Sequence, residues 1–280
     1  MGADLAHWPV SWPMLIGYAV LAGWHLAGLP RLLRGGGREL RREAVLFQLG
    51  LAIALLAVVS PVGYLSGVYL WVRALQELLL AVVAPGLIVL GAPWAAFRLA
   101  LGRPPWTAAE PEPGQRLTAR PVLAVVAANV VWLAWQLPAL VDAAQASSLV
   151  ALAEHVSVLT AGLLFWLQLL SSRPLRQRTT ALRRMALLVG TVAAATVVGM
   201  MLVFGSGVLY PAYVNSAHHV MSLLDDQQLA GAVWWMGILP PMIVAAVALM
   251  TQWLADEEPA GLDRLLTRRR HGWPSRPVIR

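Results

Sequence analysis

The stretch YLWVRALQELLLAVVAPGLIVLGAP, residues 69–93, decides how this chain is read. It is long and apolar enough to cross a bilayer, which takes about 20 helical residues at about 1.5 Å each. Yet it carries Arg73 and Glu77 within its first turns. Ionisable side chains at membrane depth are costly, so they face protein or water and take a partner. At i and i+4 these two share one helix face and can serve each other. Such a pair is also able to tie this span to its neighbours. Further along, Pro85 predicts a kink whose freed carbonyl a neighbouring helix must satisfy. Gly91 and Pro93 close the span.

The rest of the chain has the same character. Of its 280 residues 59% are hydrophobic and 12% charged, and the mean hydropathy is +0.66. A soluble domain carries about 25% charged residues. The composition therefore predicts an all-α fold, a polytopic membrane helix bundle embedded in the lipid bilayer. There is no cysteine. That excludes disulfides, thiolate metal sites, haem attachment through CxxCH and iron–sulfur clusters. A transition metal would have to use His, Met or carboxylate. The N-terminal MGADLAHWPVSWP lacks a basic n-region and reads as retained rather than as a signal peptide.

Seven apolar stretches predict seven transmembrane helices, over 13–30, 44–60, 69–91, 121–138, 149–171, 184–205 and 228–254. The second and fourth are the shortest. A transmembrane domain over 1–256, with a cytoplasmic linker at about 103–120, is followed by a basic tail over 257–280. All 21 basic residues are arginine, and Arg73 is the one that lies outside the segments 31–43, 92–120, 171–184 and the tail. The alternate connections, 61–68, 139–148 and 206–227, hold none. By the positive-inside rule the N-terminus lies outside and the C-terminus in the cytoplasm. The positive charge then lies against the anionic inner leaflet, which accounts for it without a nucleic-acid partner. Trp8, Trp12, Trp71, Trp135, Trp234 and Trp235 fall near the predicted outer boundary, and Trp94, Trp166 and Trp253 near the inner one. They read as interfacial aromatic belts.

With that orientation, residue counts give depth. Arg73 and Glu77 enter from outside, as do Glu154 and His155 on the fifth span. Gln136 lies near the outer end of the fourth. Asp225, Asp226, Gln227 and Gln228 open the seventh, preceded by Tyr210, Tyr213, His218, His219 and Met221. Met200 and Met201 sit about a turn below the outer end of the sixth. Polar residues from several spans thus converge on one level, which predicts a single outward-facing polar site or cavity. Simpler roles compete at each position. Asp225 or Asp226 can cap a helix; His155 can be a hydrogen-bonded core histidine; Met200 and Met201 can fill core gaps. His25, near the other end of the first span, reads as an anchor.

The segments ELLLAVVAPGLIVLGAP (77–93), LAEHVSVLTAGLLFWLQLL (152–170) and LYPAYVNSAHHVMSLLDDQQLAGAVWWM (209–236) resemble the CtaG-type cytochrome c oxidase assembly family. So do LPALVDAA (137–144) and SPVGYLSG (60–67), and the likeness runs from about Met14 to Glu258. The resemblance implies a seven-helix membrane protein with cytochrome c oxidase subunits as partners. It also implies copper handling on the extracytoplasmic side, with His155, Glu154, Asp226 and Gln227 carried over to the site. In this chain RALQE stands where the family has an HMxxH-like pair, so Arg73 and Glu77 replace two histidines. Arginine cannot ligate a cation, and glutamate is a hard donor ill-matched to Cu(I).

Three functions follow as expectations. The first is a non-enzymatic oxidase assembly factor handling copper, with His155, Glu154, His218, His219, Asp226 and Met221 as candidate ligands. The second keeps the fold without the metal, with Arg73–Glu77 as a structural bridge in a scaffold. The third is a proton or small-solute transporter, which Gln48 and Asn129 alone would have to serve in the cytoplasmic half. No nucleophile–base pattern, HExxH or phosphate-binding glycine loop points to an enzyme.

Overall fold

The computed structural model describes residues 11–34, 38–104, 120–170, 172, 179–214 and 221–271, with side chains to residue 255. Among them the regular structure is helical. Helix α1 is Trp12–Leu33, α2 Arg38–Val59, and α3 the short Pro61–Leu65. The span read as decisive is Leu70–Leu90, made of α4 (Leu70–Leu78), a π-helical turn (Leu79–Val83) and α5 (Ala84–Leu90). Then follow α6 (Trp94–Ala100), α7 (Pro121–Ala134), α8 (Pro138–Ala146), α9 (Ser148–Leu169), α10 (Ala181–Phe204) and α11 (Leu223–His271).

Six helices are long and apolar enough to cross a membrane, and a seventh crossing exists if the α7–α8 pair is one span. That pair is bent by 69°, so the fourth expected span, 121–138, is not a straight crossing. Its helix stops at Ala134 because Pro138 cannot continue the ladder and biases Leu137 out of the helical region, where ψ is 129°. A helix of 14 residues spans about 21 Å, short of the hydrocarbon core. The last helix, Leu223–His271, runs on past residue 256.

The third span and α9 run side by side in the same direction, Arg73 meeting Glu154 and Val82 meeting Trp166, and the connections divide between two ends. One end collects the Arg-rich segments. There Arg31 donates to the Leu99 carbonyl at 2.6 Å, and Arg184 donates to the Leu169 carbonyl at 2.9 Å and to Gln252 at 3.0 Å. His25 lies on this side, buried against Phe47 and Phe97 and hydrogen-bonded to Gln48 at 3.1 Å. The other end, poor in arginine, collects Ser60–Tyr69, Trp135–Ser147, Gly205–Val214 and Met221–Ser222.

The third span is the centre of the bundle, with 72% of its apolar window buried. Leu80, Ala81, Val82 and Ala84 are fully enclosed. Pro85 produces the expected disturbance as a widened π turn just before it. Trp166 of α9 donates its indole N–H to the Val82 carbonyl at 2.8 Å, supplying a donor inside the disturbed stretch. Gly162 lets α9 come this close, since a Cβ there would lie 2.3 Å from the Ala81 oxygen and 2.6 Å from Pro85. Gly86 faces the Trp166 ring. Trp166 and Trp234 are therefore core residues, 3% and 7% exposed, and not members of the interfacial belts the sequence suggested. Each has one flat face large enough to fill the space beside small residues.

Gly162→Ala is expected to destabilise the protein by about 1–3 kcal/mol, because the added methyl must displace backbone. Gly23, around which nothing lies within 4 Å, is the control. Thermal unfolding in detergent of Gly162→Ala against Gly23→Ala should show a lowered midpoint for the first alone.

Candidate functional site

At the Arg-poor end, α4 begins with a free turn of backbone N–H groups pointing at α11. Its own N-cap residue, Tyr69, supplies no side-chain capping bond. Asp226 does so from the other helix: its Oδ2 accepts from Leu70 N at 2.8 Å and its Oδ1 from Trp71 N at 3.0 Å. A carboxylate at a helix N-terminus satisfies orphan donors and faces the positive end of the helix dipole. Asp226 is thus a cap, but of α4, 156 residues away in the chain. The start of α11 is held by Ser222, whose Oγ accepts from Asp225 N at 3.1 Å while donating to the Asp225 carboxylate at 2.6 Å. Asp225 itself is exposed.

One turn below this cap, Arg73 and Glu77 face inward at 5% and 3% exposure. The guanidinium lies 2.7 Å from Glu77 Oε1, as the i, i+4 spacing predicts. It also donates to Glu154 of α9 and to the Trp135 carbonyl at 3.1 Å. The second Glu77 oxygen accepts from Gln136 Nε2 at 2.6 Å. Glu77 Oε1 makes its charge contact outside hydrogen-bond geometry. One cation therefore serves two buried carboxylates from two helices, and the turn after α7 closes the group with one carbonyl and one amide.

The described part of the connection after α10, Gly205–Val214, packs over this group. Gln227, 1% exposed, grips it through Leu209 N at 2.8 Å and the Gly207 carbonyl at 3.1 Å. The Tyr210 hydroxyl donates to the Gln136 carbonyl at 3.0 Å, and that of Tyr213 to the Ser66 carbonyl at 2.9 Å. Gln145 donates to the Tyr213 oxygen at 2.9 Å, and Asp142 accepts from Ala212 N at 3.2 Å. Burial pushes the Tyr210 phenol up to about 12 and raises that of Tyr213 further, so both stay neutral donors.

The sequence thus located the residues, and among the described residues they form a buried cluster. The burial comes from the two tyrosines and Gln227, which turn polar loop backbone inward. Of the candidate metal ligands, Glu154 is bound to Arg73 and Asp226 to the α4 backbone. His155 is half-buried, and its ring has no hydrogen-bond partner among the described residues. Met221 is half-buried beside Ser222, and His218 and His219 lie outside the described residues. Gln228 is half-buried and takes no part in the bonds of the cluster. Among the described residues no three His, Asp or Glu side chains are grouped so as to hold a metal. Gln145, Asp142 and Ser66 were not singled out by sequence, since a polar residue near a helix end is ordinary until its partner is known.

Arg73→Met is expected to cost about 3–5 kcal/mol, because it leaves Glu77 and Glu154 buried without a counter-charge. The triple variant Arg73→Met/Glu77→Gln/Glu154→Gln should recover much of that loss. Denaturation in detergent of the two variants against the wild type measures both, and equal losses would show that charge balance is not the cause.

The family model for the cytochrome c oxidase caa3 assembly factor (Caa3_CtaG) matches residues 23–256, which include every residue of this cluster. No curated protein and no solved structure matches the chain. The extent of the match, on a helical membrane-type fold, means that the chain belongs to the cytochrome c oxidase caa3 assembly factor family.

Proposed function

We propose that this protein serves the assembly of a haem–copper oxidase in a bacterial plasma membrane as a scaffold, without a copper ion held among its helices. The observation that carries this reading is the Arg73 guanidinium engaging both Glu77 and Glu154. A metal ion between the third and fifth spans would need those carboxylates or histidines in their place. Here a covalently tethered cation already occupies the position between them, and a second cation beside a guanidinium is repelled. The arginine does structurally what a metal would do, drawing α4, α9 and the turn after α7 to one point. The competing reading keeps copper on His155, His218, His219 and Met221.

The orientation belongs to the same proposal. The Arg-rich end faces the cytoplasm and the Arg73 end faces outward, supported by the confinement of 20 arginines to alternate connections and the C-terminal tail. The loop surface and the exposed start of α11 would then meet the oxidase subunits on the extracytoplasmic side. The chain does no covalent chemistry in this reading: the cluster offers no nucleophile beside a base.

Metal analysis of the purified protein after copper supplementation tests the proposal. The wild type should carry copper well below one ion per chain, whereas Arg73→His/Glu77→His should gain it. Stoichiometric copper in the wild type, lost when His155 or both His218 and His219 become Ala, would replace this reading with copper delivery.

A further inference from the structure

The buried charge cluster is one hydrogen short. Three oxygens crowd a single guanidinium nitrogen, Arg73 Nη2. Glu154 Oε1 and the Trp135 carbonyl accept hydrogen bonds from it, whereas Glu77 Oε1 lies 2.7 Å away and accepts none. That nitrogen carries two N–H groups in a fixed plane. Both are committed, so none is left for Glu77 Oε1. Among the described residues no other donor reaches this buried atom. A buried carboxylate oxygen without a donor is costly, and costlier still beside another acid.

Such an acid is present. Glu154 lies within hydrogen-bonding reach of Glu77, and both touch the same nitrogen. Two ionised carboxylates are acceptors only, so a contact between them has no hydrogen to place in it. Charge is short by the same amount. The groups that face Glu77 are Arg73 on its own helix, Glu154 on α9, and Tyr210 and Tyr213 from the connection after α10. Asp226 of α11 is spent on the α4 backbone one turn above. With both tyrosines neutral, one cation faces two acids that are 3% and 4% exposed, and one negative charge stays unmatched. Unmatched charge at membrane depth is costly. A proton on His155, beside Glu154, would restore the charge but would put no hydrogen on Glu77 Oε1.

We infer that Glu77 and Glu154 form a proton-binding site that holds one proton at neutral pH, with Glu77 Oε1 donating it to the Glu154 carboxylate. One proton supplies both the missing hydrogen and the missing charge. Its place follows from the partners of each acid. Glu154 takes the guanidinium N–H, a charge-assisted bond that favours the anion there, whereas Glu77 takes only the neutral Gln136 amide at 2.6 Å. Arg73 then pairs with a single anion, and the third span is tied to α9 by an acid–carboxylate bond as well as by the guanidinium. The bound proton is part of what offsets the burial of three ionisable groups. The inference stands on the donors around Glu77, whether or not the protein carries copper or meets an oxidase.

Infrared spectroscopy of the full chain in lipid nanodiscs, after treatment with a chelator, reads a neutral carboxylic acid directly. Its C=O stretch stands apart from the amide and carboxylate bands and moves on transfer to D2O. The wild type at neutral pH should show this band at the intensity of a single acid per chain. Glu77→Gln should abolish it. Glu154→Gln should abolish it too, because the remaining Glu77 then pairs with Arg73 as an anion. Asp142→Asn, which alters a carboxyl outside the pair, should leave the band unchanged. Thermal unfolding of the same samples establishes that each variant is folded. A wild-type spectrum without the band overturns the inference before any variant is made. So does a band that folded Glu77→Gln or folded Glu154→Gln retains.

Discussion

A single guanidinium held between two carboxylates is the constraint on which the Arg-poor end of this protein depends. Arg73 and Glu77 belong to one helix and could have formed a private pair. Glu154 from α9 converts that pair into an inter-helix tie, and the Trp135 carbonyl and Gln136 amide bring in the turn after α7. Desolvating three charges costs several kcal/mol each, and only full coordination offsets it. Every element that completes the coordination is therefore fixed in place by the penalty of leaving. The loop above is recruited on the same terms, through two tyrosine hydroxyls and Gln227.

The two disturbances of regular helix lie close to this tie and have distinct causes. The π turn at Leu79–Val83 is the consequence of Pro85, with Trp166 supplying a donor and Gly162 making room. The 69° bend after Ala134 follows from Pro138 and exposes the Trp135 carbonyl that Arg73 uses. Irregular backbone at membrane depth is tolerated where protein groups satisfy it, and here they do so. The bend is functional in the plain sense that a straight helix would have kept that carbonyl for its own ladder.

Membership of an oxidase assembly family gives this geometry a context, and the chain's own chemistry qualifies it. A family role need not be executed by the same atoms in every member. Where a metal would gather ligands from several helices, a tethered cation gathers them without loading or exchange. In the scaffold proposed above the gain is permanence, and what is given up is delivery, since an arginine cannot be handed to a client.

Much of the site was legible in the sequence because its signals are local. The i, i+4 spacing fixed the Arg73–Glu77 contact, intramembrane charge demanded a partner, and Pro85 announced a kink. Arginine placement divided the connections into two kinds. What the sequence could not assign was who meets whom. Asp226 looked like the cap of its own helix and proved to cap α4; Glu154 looked like a ligand and proved to be a counter-ion. Trp166 and Trp234 looked interfacial and proved to be core. Composition and spacing alone determined that this chain is a helical membrane bundle with the polar residues of its spans gathered at one level. Tertiary structure alone decided that the level is buried around a guanidinium, because partner choice depends on helix crossings and loop closure, which no periodicity encodes.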